Sequence, residues 1–309
     1  MITSLFKKST PLNFSLVVIL ILSFFLIYQI QDLVWTDSTI LILEKAGILL
    51  VLLGSIFLTN FISTKNGLSK DSSYTIFFYF LFLIFFPSVL DNINLVFANF
   101  FILLALRRLL SLQSLKASKE KIFDASLWIF VAALFHFWCI LYLVLVFISI
   151  IFHVSRDYRN WILPIIAFFA VGTLFALSSI LFDISALEYI NSSVKTSFKI
   201  NYFTNNYQNG ALSIYATVAL FFVISMFATL SSRLSITHAS FKKIIASFFI
   251  GVVIFLVSSN KSNDLLIFTI APLAIMATNH IEMPQLKLKQ EMVLVVLIAC
   301  SFFAFFSQL

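Results

Sequence analysis

The run from Ile122 to His153, IFDASLWIFVAALFHFWCILYLVLVFISIIFH, constrains this chain more than any other stretch. Its acids and imidazoles are Asp124 near the start, His136 in the middle and His153 at the end. One transmembrane helix needs about 20 apolar residues to cross a hydrocarbon core of about 30 Å. Thirty-two residues are too many for one comfortable span and few for two. If the run crosses once, everything downstream lies on one side of the membrane. If it turns back at His136–Phe137, everything downstream lies on the other.

The charges separate these alternatives. Apolar stretches lie at 12–30, 40–62, 74–90, 95–110, 122–135, 137–152, 161–182, 211–230, 244–258, 265–279 and 291–307. With a turn at His136 and the N-terminus inside, sixteen of the 20 Lys and Arg residues fall inside, leaving Lys45, Lys195, Lys199 and Lys261 outside. A single crossing changes the split to twelve and eight. Cytoplasmic loops are enriched in Lys and Arg, so the hairpin is favoured. The reading is an all-α, polytopic membrane protein of about eleven transmembrane helices, N-terminus cytoplasmic and C-terminus outside. It forms one membrane domain over residues 1–309, because no loop is long enough to fold separately.

Composition agrees: 61% of residues are hydrophobic and 11% charged, against about 45–50% and 25% in soluble domains. The net charge of +7 sits in short loops beside apolar spans, where orientation and anionic headgroups account for it. Membrane lipids are therefore the expected partners, and nucleic acid is not. Cys139 and Cys300 both fall within spans without a partner pattern, which points to neither a disulfide nor a metal site.

Candidate site residues lie in the outside segments. The first, Gln31 to Thr39, carries Asp32, Trp35 and Asp37. It reads as a solvated turn with an interfacial Trp, or as the place of an outward catalytic aspartate. The third span contains Pro87, which tends to kink or end a helix, and is followed by Asp91-Asn92-Ile93-Asn94 and then Asn99. Asp91 suits a helix cap. Yet an acid and three asparagines at one membrane edge exceed what a cap requires, and intramembrane polar groups usually face a protein interior or a wet cavity. This cluster ranks first, with Asp91 as candidate base and Asn92, Asn94 and Asn99 as candidate binding residues. His136, beside Phe137 and Trp138, falls at the hairpin tip on the same side. It suits an interfacial hydrogen bond, or a His–Asp pair titrating near neutrality.

The longest outside segment runs from Asp183 to Gly210. Apolar residues recur at three- and four-residue steps from Ile184 to Phe198, which predicts an amphipathic helix over 184–199 lying in the outer interface. Behind it, NYFTNNYQNG reads as an aromatic belt and turn, or as a lid whose Tyr202 and Tyr207 face a polar ligand such as a sugar. A second polar cluster, Ser258 to Asp264, adds Lys261 and Asp264.

Nothing in the chain matches a phosphate-binding glycine loop, a dinucleotide fingerprint, a zinc or haem spacing, or a nucleophile elbow, so no cofactor is expected. The six glycines and the lack of buried acid strings disfavour a transporter.

Three segments carry a resemblance: MITSLFKKSTPLNFSLVVIL, DNINLVFANFFILLALRRL and IFDASLWIFVAALFHFW. They resemble an uncharacterised family of bacterial inner-membrane proteins of unknown function. More distantly, many spans with outward acids look like the C-type membrane glycosyltransferases that use polyprenyl-phosphate sugars. That likeness implies an acid in the first outside loop, here Asp32 or Asp37, although this loop is only nine residues long and no arginine lies outside. The expectation is transfer from a polyprenyl-linked sugar on the outer side, an aspartate taking the acceptor proton and Lys261 meeting the departing phosphate. The competing expectation is a non-catalytic subunit of an envelope assembly, bound to other envelope proteins.

Overall fold

In a computed structural model, the described residues are all except 1, 184, 198–204, 232–234 and 260. Thirteen α-helices make up most of them, and no strand occurs among the described residues. Among the described residues, eight helices are long and apolar enough to cross a membrane.

Polar residues at the predicted segment edges start the helices. Thr10 caps α2 (Pro11–Gln29), whose first residue is a proline, and Ser38 caps α3 (Thr39–Lys65). Asn92 caps α5 (Ile93–Leu110), its Oδ1 accepting from the Leu95 N–H at 3.2 Å. Such side-chain acceptors satisfy donors that a helix start leaves open. The cap of α5 is thus Asn92 rather than Asp91, which leaves the acid available for other partners.

The core is built around α12 (Ile267–Glu282) and α4 (Tyr74–Leu83), which pack against each other. Every residue of α4 is buried, and 94% of the span that contains α12 is enclosed. Both helices are broken at the same end by tight 3-10 turns, Pro87–Asp91 after α4 and Asn263–Leu266 before α12, and the two turns pack together. Proline explains the first break, since Pro87 cannot donate to the preceding turn. Around this pair stand α10 (Asn206–Leu230), α11 (Ser235–Val257), α13 (Lys287–Ser307) and α5. Buried hydroxyls tie the layers: Tyr215 with Thr269 at 2.6 Å, and Thr278 with Thr75 at 3.1 Å. By contrast α2, α3 and α8 (Arg159–Leu181) turn exposed apolar faces outward, among them Leu43, Leu50, Phe169 and Leu181.

The run from Ile122 to His153 breaks at His136. α6 (Ser118–Phe135) ends there in extended backbone, a 3-10 turn covers Phe137–Tyr142, and α7 (Leu143–His153) follows. The chain reverses: Lys119 at the start of α6 pairs with Asp157, just beyond α7, at 3.1 Å.

Contacts between segment ends sort into two groups. At the end holding Lys119, Glu282 accepts from the Lys70 N–H at 2.8 Å and the Ser72 hydroxyl at 2.6 Å, and Lys243 donates to the Leu109 carbonyl at 2.7 Å. At the opposite end, holding His136, the ends of α2, α6, α11 and both central 3-10 turns are tied together by the side chains described next.

The predicted interfacial helix is shorter than 184–199. α9 covers Ala186–Ser193, and Thr196 then bridges to Ser258 in extended form. The Asn191-Ser192-Ser193 sequence favours an end here, because such side chains compete for backbone hydrogen bonds. Residues 184, 198 and 199 lie outside the described set. The predicted lid is also partly replaced by helix, since Asn205 caps α10 and the helix runs through Gly210.

Candidate functional site

Asp91 closes the 3-10 turn after α4, and three side chains converge on its carboxylate. The Tyr28 hydroxyl donates to Oδ2 at 2.7 Å and the Gln29 amide to Oδ1 at 3.2 Å, both from the end of α2. The Lys45 ammonium, almost two turns into α3, forms an ion pair with Oδ1. Burial alone would raise the Asp91 pKa, but the Lys45, Tyr28 and Gln29 hydrogen bonds and the lysine charge together hold it below the usual value. Asp91 is therefore an anion pinned between elements.

Asp264 lies beside it. The residue is 8% exposed, and its carboxylate accepts a hydrogen bond from Ser88 on the facing 3-10 turn. It is within electrostatic reach of both Asp91 and Tyr28. Packing between the two turns thus puts two carboxylates in one site. One is half-exposed with a cation; the other is buried with the hydroxyls of Ser88 and Ser262.

His136 belongs to a second knot at the same end. Its Nε2 lies 3.1 Å from the Ser258 hydroxyl, and its ring packs on Phe268 with centroids 5.9 Å apart. Ser258 gives its one proton to the Ile254 carbonyl at 2.7 Å, so the imidazole must be the donor and Nε2 carries hydrogen. Lys261 joins this knot, donating to the Ser197 carbonyl and to the Ser258 carbonyl, the latter at 3.1 Å.

The other predicted residues are distributed more widely. Asn92 is the α5 cap, Asn94 is exposed, and Asn99 is buried with its amide on the Tyr79 hydroxyl at 3.2 Å. Asp32 is exposed, near the 3-10 turn Leu33–Asp37, where Trp35 donates to the Gln29 carbonyl at 3.0 Å. The Asp37 side chain and all of Tyr202 lie outside the described residues. Tyr207 is exposed in the first turn of α10. Asp91 and Asp264 are brought together, as are His136 and Lys261; no hydrogen bond joins Asp91 to His136 among the described residues.

Sequence reasoning missed Tyr28, Gln29, Lys45 and Ser88 as site residues. The available signal was Lys45 itself, a charge inside the apolar run of the second span, where ionisable residues usually seek a partner.

An α-helical bundle with apolar outer faces and polar knots at its ends defines this chain as a multi-pass membrane protein. More specifically, it belongs to a family of unknown function (DUF6427), whose model matches residues 1–309. No curated protein and no solved structure matches the chain.

Proposed function

We propose that this protein crosses the bacterial inner membrane eleven times, N-terminus in the cytoplasm, and transfers a sugar from a lipid-linked phosphate on the outer side. The sixteen-to-four division of Lys and Arg supports the orientation. The sorting of end-to-end contacts into two groups supports the alternating passages.

The Asp91–Asp264 carboxylate pair carries the catalytic reading. Two acids in different environments are a recurrent means of dividing acid–base roles. Lys45 occupies Asp91 as a counter-ion, whereas Asp264 has neutral hydroxyl partners and is the better base. In the reaction Asp264 accepts the proton of the acceptor hydroxyl, whose oxygen bonds to the anomeric carbon. The bond from that carbon to the phosphate oxygen breaks, and the lipid phosphate departs with the electron pair toward Lys261. A positioned base contributes about 10²–10⁴-fold. Asp264→Asn should therefore lower labelled-sugar incorporation into envelope glycan by at least about a hundredfold, with protein level in the membrane unchanged. Undiminished incorporation by that variant overturns the proposal.

The saturation of Asp91 by Tyr28, Gln29 and Lys45 favours a second reading, in which the cluster is a clasp between helices in a non-catalytic subunit of an envelope assembly. Under that reading Asp264→Asn leaves glycans intact.

A further inference from the structure

An open cavity adjoins the His136 knot. A cavity of about 460 Å³ lies between α6, the hairpin tip, α8 and α9, within the range of about 300–1,000 Å³ usual for small-molecule sites. Its walls are Phe130, Phe137, Phe168 and Phe175 with small residues such as Gly172 and Ala176 between them. Phe168, Gly172 and Ala176 are themselves exposed, so the cavity opens along α8 beside the apolar outer face of that helix. The Tyr189 hydroxyl, which borders it, is spent on the Leu134 carbonyl. The Ser193 hydroxyl in the wall donates to the Tyr189 carbonyl, and the rest of the lining is apolar.

One end of the cavity is different. Phe137 follows His136 directly, and Ser193 in the wall lies three residues before Thr196, which bridges to Ser258. From these two wall residues the chain leads directly into the knot where His136, Ser258 and Lys261 meet. An ammonium has three donors, and the two carbonyl partners of Lys261 among the described residues use two. Lys195, exposed, follows Ser193 by two residues. An apolar slot with two lysines a few residues along the chain from its wall or from the adjoining knot suits an anionic amphiphile.

We propose that this cavity holds the hydrocarbon chain of an anionic lipid whose phosphate sits at Lys261. The inference deepens the transfer reading by giving its lipid carrier a seat, but the seat is tested by binding alone. Gly172 lines the slot and a Cβ at this position would meet nothing within 4 Å, so Gly172→Trp introduces bulk at the slot without a clash at the backbone.

The purified protein in nanodiscs would be exposed to phosphatidylglycerol carrying a photoactivatable group in its acyl chain, and in parallel to the phosphatidylcholine analogue. Expected are crosslinks within 130–140 and 168–176, at least fivefold stronger for phosphatidylglycerol, and cut at least fivefold by Gly172→Trp. Lys261→Gln should erase the preference between headgroups while leaving chain labelling in place. Labelling unaffected by Gly172→Trp overturns the chain site, and equal labelling by the two lipids overturns the phosphate assignment. A bound lipid with intact glycans in Asp264→Asn cells leaves this inference standing and removes the transfer reading.

Discussion

At the residue scale, Asp91 concentrates the chemistry of the fold. Its pKa is held below the ordinary carboxylate value, so its ion pair contributes stability above the unfolded pKa of about 3.9. That contribution disappears as pH falls through the lower, folded value. The carboxylate is half-exposed, and solvent screening limits such a pair to about 1 kcal/mol or less. Asp91→Asn should therefore melt a few degrees lower than the parent at pH 7 in detergent, and the gap should close as the buffer is taken below about pH 4. A gap that widens in acid contradicts the ion-pair account. The sequence made Asp91 conspicuous because it stands with asparagines at a membrane edge. It did not reveal the partners, because Tyr28, Gln29 and Lys45 come from about fifty to sixty positions earlier and meet Asp91 only after α2, α3 and the 3-10 turn have packed. His136 shows the same limit: its place at the hairpin tip was legible, whereas its partner Ser258 is set by tertiary packing.

At the element scale, span positions were legible because hydropathy reports them directly. α2, α3 and α13 begin within about four residues of the predicted stretches. Ends set by local hydrogen bonding were less so: α9 stops at Ser193 instead of continuing, and α10 starts at Asn206, before the predicted 211. The hairpin was read from loop charges alone, and the pairing of Lys119 with Asp157 gives it a direct check. Lys119→Cys combined with Asp157→Cys should be joined efficiently by a short bis-maleimide. In a single crossing the two positions would be separated by the membrane thickness of about 30 Å, and no crosslink would form.

At the scale of the whole molecule, the proposed orientation places the Asp91 and His136 knots outside the cytoplasm. Lys195 is exposed at that end, whereas Cys139 is buried and Cys300 partly so. Lys195→Cys should react with a membrane-impermeant maleimide on spheroplasts as fast as in broken membranes. Reaction only after breakage reverses the proposed sidedness. The arrangement also bears on how the bundle comes to be assembled. One of its two central helices, α12, is the penultimate one in the chain, is the least apolar of the eight spanning candidates, and is enclosed almost completely. Domains are synthesised N-terminus first, so α4, α10 and α11 are made before the segment they pack against. Until α12 arrives, Thr75 and Tyr215 lack the hydroxyl partners they hold in the finished bundle. A bundle assembled in chain order therefore completes these two central hydroxyl pairs only when its next-to-last helix is inserted.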